Sequence, residues 1–72
     1  MKELDDGLAV AELIRRSEAQ THKWDWRLQS ARHRRGVTCT IYIPLVEGVR
    51  TVHADGETLA TAINKALIET NS

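Results

Sequence analysis

Two segments that alternate apolar and polar residues around one short turn constrain the fold of this chain more than any other feature. Their apolar positions are Trp24, Trp26, Leu28, Val37, Cys39, Ile41 and Ile43. A two-residue period is that of a strand with one buried face. Gly36 ends the turn between them, so the pair predicts a β-hairpin. We expect Pro44 to end its second strand, because proline donates no ladder hydrogen bond.

A third strand is predicted over residues 49–54, VRTVHA, after a turn at Glu47-Gly48. Its phase is ambiguous, because Val49 and Val52 fall on opposite faces of a regular strand. A bulge near Gly48 would place both valines on one face, although the sequence does not prove it.

Helical spacing flanks the strands on both sides. Asp5 and Asp6 are suitable N-caps for a first helix over residues 6–20. One stripe of this helix carries Val10, Leu13, Ile14 and Ser17. Asp55 is the expected cap of a second helix over residues 56–70. The stripe of this helix is Leu59, Ala62, Ile63, Ala66 and Leu67.

These elements predict a two-layer α+β fold in the order α-β-β-β-α, with both helices on one face of a three-stranded antiparallel sheet. Residues 1–72 are too few for two cores, so we expect a single domain. Trp24 and Trp26 should supply much of its core. A homodimer is compatible with such a small domain and would add to its stability.

Charge is distributed unevenly along a chain whose net charge is zero. Residues 22–36 carry five basic side chains and one acidic one, whereas the segments on either side are each acidic by two charges. The turn itself reads Ala-Arg-His-Arg-Arg-Gly. A local basic stripe is what phosphate binding requires. The plain alternative is a solvated turn.

Catalytic and metal-binding patterns are missing from the sequence. The three histidines stand 11 and 20 residues apart without neighbouring ligands, so no metal is predicted. Cys39 alternates with apolar residues and is interpreted as a core residue. The sequence contains no Walker motif, glycine-rich dinucleotide motif or Ser-His-Asp pattern. We therefore expect neither enzymatic activity nor a cofactor.

The α-β-β-β-α order resembles the double-stranded RNA-binding domain. In that family the loop between the first two strands enters the RNA minor groove, and here this loop carries Arg32, His33, Arg34 and Arg35. The family also places lysines at the start of its last helix, where this chain has Gly56-Glu57-Thr58.

Residues 36–69 resemble the core of the HicB-type antitoxins. The resemblance lies in two strands joined by a turn, then Gly-Glu-Thr-Leu leading into an alanine-rich helix. The matching residues are Gly56, Glu57, Thr58, Leu59, Ala62, Ile63, Ala66 and Leu67. This resemblance implies binding to a partner protein without chemistry of its own.

The sequence thus predicts a small, non-catalytic regulatory protein that contacts nucleic acid through its basic hairpin. The predicted contact residues are Arg27, Arg32, His33, Arg34, Arg35 and Tyr42. The alternative is an antitoxin-like or inhibitor protein that docks on a partner protein, through an acidic surface of that partner. The basic turn favours nucleic acid, whereas zero net charge and the acidic start of the second helix favour a protein. We expect a cytoplasmic location without membrane contact, since no apolar run or signal sequence is present.

Overall fold

The part of the chain that the structure describes forms one antiparallel sheet and two helices. The structure is a computed structural model that describes residues 5–31 and 35–71. Its elements are α1 (Asp6–Glu18), β1 (Asp25–Ser30), β2 (Val37–Leu45), β3 (Gly48–Gly56) and α2 (Leu59–Thr70). The strand order is β1-β2-β3, and both neighbouring pairs are antiparallel. The predicted α+β class and element order are confirmed.

The core lies between the sheet and the helices. Its buried residues are Leu13, Cys39, Ile41, Val52, Ala62, Ile63, Ala66 and Leu67. Helix α2 packs on β2 and β3, and α1 packs against α2, so both helices lie on one face of the sheet. Ala62 and Ala66 are fully buried, which confirms that this stripe of α2 faces the sheet.

The start of α2 touches the end of β3 with little space to spare. A Cβ atom added to Gly56 would collide with the backbone nitrogen of Ala62 and lie 2.9 Å from Thr61. A Cβ atom on Gly36 would in turn collide with the carbonyl oxygen of Gly56. These two glycines therefore allow three backbone segments to meet at one end of the molecule.

The helix caps confirm one prediction and correct another. Asp5 caps α1, accepting a hydrogen bond from Leu8 N at 3.1 Å. Thr58 caps α2, whereas Asp55 was expected to do so. Helix α2 therefore begins three residues later than predicted, because Asp55 remains paired with β2 in the sheet.

Asp6 connects the two helices. Its Oδ1 atom accepts a hydrogen bond from Ala60 N at 3.0 Å, so a side chain in the first turn of α1 satisfies a free donor of α2. This contact spans almost the whole chain in sequence. It holds the N-terminal ends of both helices together beside Gly56.

Strand β2 continues through Pro44, where it was expected to end. Pro44 pairs with Val49, and the strand finishes at Leu45. The pairing of β1 with β2 begins at Asp25 opposite Tyr42, so β2 has only one neighbouring strand at Pro44. Proline is tolerated at such an edge position because a ladder donor is not required there.

The phase of β3 is resolved without a bulge. Its pairing with β2 is one-to-one from Leu45 opposite Gly48 to Val37 opposite Gly56. Val52 faces the core and is buried, whereas Val49 lies on the opposite face and is 60% exposed. The two valines of β3 therefore do lie on opposite faces of a regular strand, and Val49 is the exposed one.

The tryptophans contribute less to the core than the sequence predicts. Trp24 is half-buried against the core, and Trp26 is 36% exposed. Both lie on the inner face of the sheet or just before it, but β1 is an edge strand and α2 covers the other two strands. Burial therefore falls on smaller residues of β2, β3 and α2.

Replacing a buried alanine of α2 by aspartate should unfold the domain. Ala66→Asp places a carboxylate without a partner in the core, which costs roughly 3–5 kcal/mol. Asn64 is an exposed position of the same helix, and Asn64→Asp is the control. Chemical denaturation followed by circular dichroism should show a large loss of stability for Ala66→Asp alone. Equal midpoints would contradict the observed helix face.

Alanine substitutions at Gly36 and Gly48 distinguish the cost of backbone strain from the cost of a steric clash. Both have positive φ angles, 138° and 151°, but a Cβ atom at Gly48 meets no neighbour within 4 Å. Gly48→Ala should cost about 1–2 kcal/mol through strain alone. Gly36→Ala should cost about 1–3 kcal/mol more, because its Cβ displaces Gly56. If thermal unfolding shows equal losses of stability for the two variants, the backbone at Gly56 can move away from the added Cβ atom at little energetic cost.

Candidate functional site

The basic turn sits at the end of a closed hairpin. Ser30 pairs with Val37, and Ala31 N donates a hydrogen bond to Gly36 O at 3.1 Å. The connection that this bond closes contains only residues 32–35. Arg32, His33 and Arg34 lie outside the described residues, so the contact roles predicted for them stay predictions. Arg35 is described, and its side chain is exposed.

Acidic residues of the sheet-to-helix connection lie beside Arg35. Asp55, Gly56, Glu57 and Lys65 line a surface depression together with Arg35. The acidic start of the second helix was visible in the sequence, but its position next to the basic turn depends on the contact between Gly36 and Gly56. Two carboxylates therefore partly offset the positive potential of the turn.

The outer face of the sheet is mainly polar, and neither α1 nor α2 covers it. Its residues are Asp25, Arg27, Gln29, Thr38, Thr40, Tyr42, Pro44, Val49, Thr51, His53 and Asp55. Thr38 Oγ1 donates a hydrogen bond to Asp55 Oδ1 at 2.6 Å. The Oγ1 atom of Thr40 lies 3.1 Å from His53 Nδ1. These cross-strand contacts order the middle of the face.

The contact residues Arg27 and Tyr42 both belong to this outer face. Arg27 is exposed and lies opposite Thr40, whereas Tyr42 is half-buried between Asp25 and Thr51. Thr40 lies on the same face but is only 3% exposed. The accessible groups are therefore the larger side chains around Thr40.

Of the predicted contact residues, Arg27, Arg35 and Tyr42 are described, and they lie along a surface without lining a common pocket. Arg27 stands four residues before Ala31, or roughly 13 Å along an extended strand. Tyr42 stands six residues after Gly36, at the far end of the β1–β2 pairing. An arrangement of this length suits an extended ligand better than a small molecule.

The two arginines of α1 form ion pairs within the helix. Glu12 accepts hydrogen bonds from Arg15, including one of 2.8 Å, and also lies 3.4 Å from Arg16 Nε. The bond from Arg15 lowers the pKa of Glu12, and the same contact raises the pKa of Arg15. Among the described residues, the ion pairs are those that join Glu12 to these two arginines. Arg27 and Arg35 are outside that set.

Two nucleophilic side chains lie inside the protein. Cys39 is fully buried, and burial raises the pKa of its thiol to about 11. Ser17 is 2% exposed, and its hydroxyl oxygen has no hydrogen-bond partner among the described residues. The interpretation of Cys39 as a core residue is confirmed.

In residues 5–31 and 35–71, histidine, cysteine and carboxylate side chains form no group of three that could hold a metal ion. No helix in these ranges is long and apolar enough to cross a membrane.

Comparisons with protein-family models, with curated proteins and with solved structures found no match. The resemblances to the HicB-type antitoxin core and to the double-stranded RNA-binding domain therefore stay predictions.

The buried thiol predicts a loss of stability at high pH. Its folded-state pKa of about 11 exceeds the ordinary value of 9.0, so the native protein keeps a proton that the unfolded chain loses. The stability that this provides is complete below pH 9 and is lost as the pH rises through 11.

Cys39→Val is the matched control, because it keeps an apolar side chain of similar size without the thiol. The free energy of unfolding of the wild-type protein should fall by roughly 2 kcal/mol relative to Cys39→Val between pH 8 and pH 11. Urea denaturation at several pH values measures this difference. A difference independent of pH would mean that the thiol ionises as readily in the folded state as in the unfolded one.

Proposed function

We propose that this chain is a small cytoplasmic regulatory protein that binds nucleic acid through its β1–β2 hairpin and does no catalysis. The observation that carries the proposal is the short closed hairpin, whose end connection of residues 32–35 holds three arginines. A rigid base positions charged side chains more precisely than a flexible tail. Phosphate groups are the partners that such a cluster of arginines binds best.

The outer face of the sheet extends this surface. Arg27 is exposed there and forms no ion pair among the described residues. Tyr42, in the neighbouring strand β2, adds a half-buried aromatic ring to the same face. An arginine reaches a phosphate, and a tyrosine on an open sheet can contact a base or sugar. Both residues lie on the hairpin that holds the turn, so a single extended strand of nucleic acid can touch all three parts.

The burial of two nucleophilic side chains supports the part of the proposal that excludes catalysis. Cys39 is buried with a raised pKa, and Ser17 is buried in α1. Neither is accessible to a substrate.

Docking on an acidic protein surface is the alternative, and the neighbouring Asp55 and Glu57 favour it. These carboxylates would repel a phosphate chain close to Arg35, whereas a protein partner can offer both charges in a matching pattern.

Salt dependence and charge reversal test the proposal. Labelled single-stranded and duplex oligonucleotides should bind the wild-type protein at low salt. About three phosphate contacts give a slope of log affinity against log salt of roughly −2 to −3. Arg34→Glu combined with Arg35→Glu should abolish binding, and Tyr42→Ala should weaken it without a large change in melting temperature.

The control is the combination Arg15→Glu and Arg16→Glu, which makes the same charge change at adjacent positions of α1. It should leave binding nearly unchanged. Glu57→Gln removes a carboxylate beside Arg35 and should strengthen binding. If wild-type protein binds no oligonucleotide at low salt, the nucleic-acid proposal is wrong. Docking on a protein would then be supported if the wild-type protein captures a partner from nuclease-treated lysate and the variant with Arg34→Glu and Arg35→Glu does not.

A further inference from the structure

Strand β1 is an unpaired edge of the sheet whose side chains are open on both faces. It pairs with β2 on one side and has no strand on the other among the described residues. Trp26 points to the inner face and is 36% exposed, although its neighbours Cys39 and Ile41 in β2 are fully buried. An edge with free backbone donors and acceptors is a template for pairing with another strand.

The sequence of β1 is complementary to itself in an antiparallel arrangement. When a two-fold axis passes through Trp26, Asp25 of each copy lies opposite Arg27 of the other on the outer face. On the inner face Trp26 meets its own copy. Trp24 precedes β1 and its backbone N already donates a hydrogen bond to Ser17 O at 3.3 Å, so the pairing begins at Asp25. Both charges and Trp26 thus find suitable partners in one register.

Other registers of the same edge lose this complementarity. An axis through Arg27 would place two arginines directly opposite each other and leave Asp25 opposite Gln29. An axis through Leu28 would leave Asp25 opposite Ala31, without a charged partner. Like charges at directly opposed positions destabilise a strand pair, and opposite charges stabilise it.

The other edge of the sheet is less suited to self-pairing. Arg50 of β3 already donates a hydrogen bond to Glu69 O in α2 at 3.0 Å. An axis through Val52 would place Arg50 opposite Ala54 and Asp55 opposite Val49, so neither charge would meet its opposite. Of the registers compared, only that of β1 about Trp26 places opposite charges facing each other.

We propose that the protein forms a homodimer in which two β1 strands pair antiparallel about Trp26, joining two sheets into one of six strands. The two-fold axis stands perpendicular to the sheet, so the helices of both copies lie on the same side. Two Asp25–Arg27 ion pairs form on the outer face. The exposed part of Trp26 is covered by the second copy, which removes apolar surface from water.

This dimer does not require the proposed nucleic-acid function. In the dimer Arg27 is engaged with Asp25 of the second copy, and phosphate contacts would then fall mainly to the turn residues, including Arg35. Measurement of mass without nucleic acid tests the dimer, and the Arg34 and Arg35 reversals test the nucleic-acid function. The two proposals can therefore fail separately.

A charge exchange provides the experiment. Sedimentation equilibrium and light scattering over a range of concentrations should give a dimeric mass for the wild-type protein. Asp25→Arg alone, and Arg27→Asp alone, each replace two attractive pairs by two repulsive ones. Each should raise the dimer dissociation constant by at least about tenfold. The double variant carrying both changes restores opposite charges and should recover the dimer.

The control is Thr51→Arg, which adds a positive charge to the exposed outer face of β3 and should not affect the mass. Circular dichroism of each variant checks that it is folded, and recovery in the double variant cannot be explained by damage to the fold. A monomeric wild-type protein overturns the proposal. It is also overturned if the single variants stay dimeric, if the double variant stays monomeric, or if Thr51→Arg alone dissociates the dimer.

Discussion

The close seating of α2 on the sheet is the contact on which the rest of the structure depends. Ala62 and Ala66 are fully buried, and Gly56 leaves no room for a side chain against the start of the helix. Small residues allow the two layers to approach, and dispersion forces are strong only at close range. The bond from Ala60 N to Asp6 then attaches α1 to the same end. A chain with no phenylalanine thereby builds a core from leucine, isoleucine, valine, alanine and one cysteine.

That arrangement decides which surfaces remain open. Because α2 covers β2 and β3, the inner side of β1 is only partly covered, and Trp26 is left exposed at the edge. Because both helices lie on one face, Arg27 and Tyr42 remain on an open polar face. The proposed dimer and the proposed nucleic-acid surface thus have one structural origin. The first uses the uncovered edge, and the second uses the uncovered face and the turn at its end.

Local patterns predicted the type and order of every element, but boundaries depended on distant partners. Asp55 has the chemistry of a helix cap, yet it stays in β3 because β2 offers Thr38 as a partner. Pro44 has the chemistry of a strand end, yet β2 continues because no β1 residue pairs with that position. Of the predicted contact residues, Arg27, Arg35 and Tyr42 are exposed or half-buried, as binding requires. Their spread along the surface could not be read from their order in the chain.

Periodicity and charge by themselves determined the element types, the helix face at Ala62 and Ala66, the inner position of Cys39 and the concentration of arginines at one turn. These follow from local geometry, because the repeats of strands and helices are set by the backbone. The tertiary structure decided that Trp26 is exposed, that Val49 faces outward and that Asp55 and Glu57 lie beside Arg35. Each of these depends on which strand is an edge and on the approach of Gly36 to Gly56. Contacts between segments far apart in sequence carry no local pattern, so only the folded chain reveals them.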